Sequence, residues 1–165
     1  MSAGLLGDPA SVLALAGALR RRSAELDQAS TGLHEALAQA RPGWVGPTAV
    51  RHRRRLDENV VLTGRSVALM IELADALEAF GTALTEARVT AREVAEQAAA
   101  ADLELVDGAV VERWGIRGEA QAAESLARGE TAERLTRRVA RATTLLERRR
   151  TTLARCAEKV TRTLR

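Results

Sequence analysis

The stretch ARPGWVGPT, residues 40–48, holds two of the chain's three prolines, two glycines and the first of its two tryptophans. On either side lie long runs of Ala, Leu, Arg and Glu, the residues with the strongest helix propensity. Proline removes a backbone donor and glycine reaches positive φ at little cost, so such a cluster between helix formers predicts that one helix stops and another starts. The spacing of the apolar residues around it predicts that the second helix folds back along the first.

Upstream, GDPAS opens a helix, with Asp8 as N-cap and Pro9 in the first turn, where its missing N–H has no partner to lose. Val12, Leu15, Leu19, Leu26, Ala29, Leu33, Ala36 and Ala40 then recur at alternating steps of three and four, interrupted by Arg22. That spacing describes a coiled-coil-like line and a first helix over about 9–39. Downstream, Pro47 starts a second helix that meets no strong breaker before about Ala101. It carries one line through Leu56, Val60, Thr63, Val67, Met70, Ala74, Leu77, Leu84, Ala87, Ala91, Val94 and Ala98. A second line runs through Leu62, Leu69, Leu73, Ala76 and Phe80. Two apolar lines on one helix need more than one neighbour.

A hairpin folded at Trp44 pairs Pro9 with about Gly81 and leaves some 20 residues of the second helix, about 30 Å, beyond the first. The remaining sequence supplies a cover. LELVDGAVVERWG, from Leu103, reads either as two very short strands around the Asp107-Gly108 turn or as an irregular helix–helix connection. From residue 119 onward helix resumes, with Leu135, Val139, Ala142, Leu146, Leu153, Cys156, Val160 and Leu164 on one face and Gly129 as a place to break or bend. Residues 60–112 carry ten acidic and three basic side chains, and residues 130–165 four acidic and eleven basic. Opposite charge favours docking of the last helix on the overhang. The expected architecture is all-α: a hairpin over 1–101, a connector over 102–118 and a basic helix over 119–165 packed on the hairpin as one domain.

Composition narrows the function. The chain of 165 residues is 46% hydrophobic but 2% aromatic, with no tyrosine, two histidines, one cysteine and a net charge of +3. One cysteine gives neither an internal disulfide nor a cysteine-rich zinc site. Cys156 reads as a small hydrophobe, with no histidine in its half of the chain to act as base. His34 and His52 fall at similar heights near the turn, beside Glu35 and Asp57, but no ligand spacing recurs. No apolar run has the length of a membrane span, and Arg20–Arg22 follow the first apolar stretch, whereas a Sec signal puts its charge first. The clusters Arg20–Arg22, Arg51 with Arg53–Arg55, and Arg148–Arg150 raise nucleic-acid binding, yet they alternate with acidic segments and lack stacking aromatics. Pairing within the hairpin offers another use, since Arg20–Arg22 fall opposite Met70, within a turn of Glu72. No catalytic arrangement appears and no cofactor is expected.

Helix, Trp44-Val45-Gly46, helix: residues 8–101 resemble the WXG superfamily, small helical-hairpin substrates of type VII (ESX) secretion systems. The later order, a short connector and then a basic helix, resembles the continuation of such hairpins in larger actinobacterial type VII proteins. The resemblance implies a non-enzymatic protein that pairs with itself or another small WXG-type protein into a four-helix bundle, offers its Trp-X-Gly turn to a secretion ATPase, and leaves the cell without a Sec signal or waits in the cytoplasm before export. Leu62, Leu69, Leu73 and Phe80 are the expected partner-facing residues. One departure is plain: the Tyr-X-X-X-Asp/Glu signal of the family is missing, and Phe80, followed by Leu84 rather than an acid, does not replace it. Export through a partner's signal, or a cytoplasmic adaptor using the same faces, both agree with that departure. Trp114, in ERWGIRG, is expected to wedge the connector onto the bundle.

Overall fold

The computed structural model describes residues 7–40, 43, 45–112 and 122–163, with the side chains of 40 and 122–124 left aside. Its elements are α1 (Pro9–Ala40), α2 (Pro47–Ala100), β1 (Leu103–Val106), β2 (Ala109–Glu112) and α3 (Ala122–Thr163). The protein is all-α but for the two short strands. Trp44 and Trp114 lie outside the described residues.

Each element ends where its local chemistry requires. Asp8 caps α1: its carboxylate accepts the Ala10 N–H (3.2 Å), the Ser11 N–H (3.0 Å) and the Ser11 hydroxyl (2.6 Å). These three donors, the Ser11 hydroxyl first, hold the Asp8 carboxyl below its ordinary value. At the start of α2, Gly46 has φ +109° and its carbonyl accepts the Val50 N–H at 3.1 Å, so it is the N-cap before Pro47. At the other end Ala101 N–H reaches back to the Gln97 carbonyl (3.2 Å), and Asp102 turns left-handed at φ +57°. Aspartate tolerates that region better than most side chains, so it ends the helix where glycine more often does. α3 runs unbroken through Gly129, where a break or bend was expected. One glycine weakens a 42-residue helix by only about 1 kcal/mol relative to alanine, too little to interrupt it.

The connector resolves as the hairpin. β1 and β2 pair antiparallel with Leu103 opposite Glu112 and Val106 opposite Ala109. Asp107 and Gly108, at φ +49° and +87°, form the two-residue turn that twists with the strands. Side chains alternate across the pleat, so Leu103, Leu105 and Val110 share one face. That face closes a core with Val94 and Ala98 of α2 and Leu135 and Val139 of α3. The outward N–H of Val110 donates to the Thr136 hydroxyl of α3 at 2.9 Å, which satisfies a donor at the open edge of the sheet.

The chain divides into two compact units. One comprises residues up to Ser11 with Ala79–Thr152. It holds the hairpin core and a second cluster, Ala83, Leu84, Ala87 and Leu146, flanked by Phe80 and Ala142. Here α3 covers the overhang of α2, as the apolar lines require, and the Arg138 guanidinium pairs with Glu93 across the helices.

The other unit comprises Val12–Glu78 with Leu153–Arg165. Within it α1 lies antiparallel to α2: Arg20 pairs with Asp75 (2.7 Å) and Glu78. Toward the corner, Leu33 shares a recess with Val60, and Leu37 shares one with Leu56. Arg20 thus meets α2 at Asp75 and Glu78, beyond Met70, the residue expected opposite it, and beyond Glu72, the acid expected within a turn. Glu72 instead accepts Lys159 at 2.5 Å, with Cys156 Sγ 3.9 Å away. Arg138 and Lys159 stand three heptads apart on α3, and Glu93 and Glu72 stand three heptads apart on α2.

Two outcomes test this account. Leu84→Ala and Leu135→Ala should each cost about 2–5 kcal/mol in denaturant unfolding, as for fully buried leucines. Asp8 has a folded-state pKa below its unfolded one, so its contribution is present above the ordinary carboxylate range and is lost as pH falls through the folded value. Asp8→Ala should therefore speed amide exchange in the first turn of α1 at neutral pH, with the difference from wild type vanishing in acid.

Candidate helix-pairing face

The two units differ in what they bury. In the unit built on Ala79–Thr152, Leu84, Leu103, Leu135 and Leu146 are buried almost completely. In the unit built on Val12–Glu78, the buried residues among those described are Ala16, Ser23, Ala49, Ala74, Ala76 and Leu77, so alanine fills most of the contact they make. Alanine lets helices approach closely but removes little apolar area from water. The larger side chains of the same lines stay open: Leu15 is 51% exposed, Leu33 46% and Leu62 56%. Ser23 is buried without penalty because its hydroxyl donates to the Arg20 carbonyl at 2.8 Å.

Leu62 opens onto a trough and Leu33 onto a smaller recess. Leu19 of α1, Leu62, Leu69, Met70 and Leu73 of α2, and Val160 of α3 wall an apolar cavity of about 410 Å³, with Arg65, Ser66 and Thr163 at its rim. Its hydroxyls are committed to their own helices, Ser66 to the Leu62 carbonyl (3.0 Å) and Thr163 to the Lys159 carbonyl (2.9 Å). The walls therefore offer mainly apolar contact, with the Arg65 guanidinium as a donor at the rim. A second recess of about 190 Å³, between Leu26, Ala29 and Leu33 of α1 and Asn59, Val60 and Thr63 of α2, continues the open line toward the corner.

Of the residues expected to face a partner, Leu62, Leu69 and Leu73 thus meet in the trough. Phe80 does not join them; it packs on Ala83, Leu84, Ala87 and Leu146 in the other unit. At the corner Val45 is 82% exposed and Gly46 has open space where a Cβ would stand, so the positive φ, not crowding, calls for glycine there. Trp44, the first residue of the motif, lies outside the described residues. Leu19, Met70 and Val160 were readable as apolar positions on their own helices. Their convergence was not, because it depends on the register among three helices.

His34 lines a small recess of about 70 Å³ with Leu37, Ala38, Arg53, Leu56 and Asp57. Among the described residues no group of three or more His, Cys, Asp or Glu side chains stands close enough to hold a metal ion. Among them, too, no helix is long and apolar enough to cross a membrane. No protein-family model, curated protein or solved structure matches the chain.

Gly46→Ala forces a side chain into the left-handed region and should cost about 1–2 kcal/mol in unfolding experiments. Gly64→Ala, in mid-helix with open space around it, should instead stabilise by about 0.4–1 kcal/mol.

Proposed function

We propose that this chain is a non-catalytic helix-pairing protein of WXG type, a substrate or partner of a type VII secretion system. The observation that supports pairing is the hairpin whose leucines remain open, Leu15, Leu33 and Leu62 above all, with an apolar trough lined by Leu62. A two-helix hairpin joined mainly through alanines leaves apolar surface that a second pair of helices would cover, giving a four-helix bundle. The partner is another copy or a second small WXG-type hairpin. The support for the family is narrower: Trp44-Val45-Gly46 stands between two long helices, at the break between Ala40 and Pro47. In this reading Gly46 allows the chain to turn, and Trp44 with Val45 is offered to a secretion ATPase.

The lack of tyrosine favours one related reading, in which the chain pairs through the same face and either travels on its partner's signal or stays inside the cell as an adaptor. Mass spectrometry of culture supernatant and cytosol, with the secretion system active, separates these. Presence in the supernatant supports export, and confinement to the cytosol supports the adaptor.

Pairing has its own test. Sedimentation of the purified chain, alone and mixed with a WXG-type hairpin encoded beside it, should reveal a complex. Leu62→Glu with Leu69→Glu should weaken it by at least about tenfold, since a carboxylate in an apolar contact must be desolvated. Trp44→Ala should reduce export or pairing while leaving helicity intact. A chain that stays monomeric in both mixtures, or a complex indifferent to both leucine changes, would overturn the reading.

A further inference from the structure

The outward side of α3 carries a pattern that helix pairing at the trough does not use. Arg134, Arg141 and Arg148 stand seven residues apart, all exposed and all within the unit built on Ala79–Thr152. The sequence continues the period at Arg155 and Arg162. At 1.5 Å rise per residue, neighbours in this series are about 10.5 Å apart along the axis. A seven-residue step drifts only about 20° around a helix, so they remain on one side. At 100° per residue that side is turned about 120° from the line of Leu135, Val139, Ala142 and Leu146, which faces the core.

Two further facts mark it as more than a solvated flank. None of the three guanidiniums forms an ion pair with a described residue, whereas Arg137 and Arg138 beside them pair with Glu133 and Glu93. Leu145, three to four residues from both Arg141 and Arg148 and so directly between them on the helix surface, is 39% exposed. An open leucine set between unpaired cations repeated at heptad spacing is what the flank of a helix–helix contact looks like before its partner arrives.

We infer that this side of α3 docks an amphipathic α-helix of acidic character, one that seats an apolar residue on Leu145 and repeats Asp or Glu every seven residues opposite Arg134, Arg141 and Arg148. The period selects a helix over the other polyanions. Binding to nucleic acid depends on charge density, not on a seven-residue repeat, and α3 carries no aromatic side chain for stacking on bases or anchoring in a lipid interface. The site shares no residue with the trough walled by Leu62, Leu69 and Leu73, so its test does not depend on pairing there.

The test uses the full chain and three probes: a synthetic four-heptad helical peptide with Glu at one position of every heptad beside a leucine line, a peptide of identical composition with the Glu residues off the seven-residue step, and a short DNA duplex. Fluorescence anisotropy should show the heptad peptide binding at least about tenfold more tightly than the other two, and losing about tenfold in affinity with Arg134→Gln, Arg141→Gln and Arg148→Gln combined, the combined effect of three exposed ion pairs. Leu145→Ser should also weaken it, at unchanged salt dependence. Far-UV circular dichroism should match wild type, because all four positions face solvent. Equal binding of both peptides, tighter binding of the duplex, or indifference to both the arginine and the leucine changes would overturn the inference.

Discussion

Helix α2 carries apolar side chains along 54 residues, while α1 has only 32 to lie beside it. At 1.5 Å per residue the difference is about 33 Å of helix that must find another cover or face water. α3 and the strand pair supply that cover over Val94, Ala98, Leu84 and Ala87. The placement of the large side chains is a consequence. Leucines are enclosed where α3 and the hairpin meet α2, and alanines do most of the enclosing where α1 meets it. Since burial of a leucine side chain contributes about 1.5–3 kcal/mol and an alanine methyl much less, the two units draw on very different amounts of apolar burial.

That inequality connects fold to function. A unit that closes its own core needs nothing further, and its exposed faces are free to carry charge. A unit joined through Ala16, Ala49, Ala74 and Ala76, with Leu33 and Leu62 in water, leaves apolar area uncovered, and the proposed pairing would cover it. Contiguous exposed apolar surface of this kind marks interaction sites in soluble proteins. The ion pairs add direction. Arg20 with Asp75, Lys159 with Glu72 and Arg138 with Glu93 are all partly exposed and individually weak. Each favours, between its own two helices, one register out of several that apolar contact alone would allow.

The connector shows how local and tertiary effects combine. Asp107-Gly108 supplies the left-handed turn, and alternation puts Leu103, Leu105 and Val110 on one face. Two four-residue strands are marginal alone. They persist here because that face enters the core and because Thr136 accepts the edge N–H of Val110.

The three helices and most of their ends were legible in the sequence, whereas the connector read equally well as a strand pair or an irregular link. Asp8-Pro9, Gly46-Pro47 and Asp107-Gly108 act through backbone conformation and capping, which depend on immediate neighbours. The three- and four-residue spacing fixed which side of each helix is apolar, and the excess length of α2 implied a third helix over Leu84–Ala98. Tertiary structure alone decided the register and therefore the site. It set Arg20 against Asp75 and Glu78 rather than near Met70, and gave Phe80 to the closed core while leaving Leu62, Leu69 and Leu73 at an open trough. It also brought Val160, a long way along the chain, to the same trough. A helical period repeats every turn, so neighbouring registers look alike in one dimension; the fit of leucine against alanine and of charge against charge, summed over several helices at once, chooses among them.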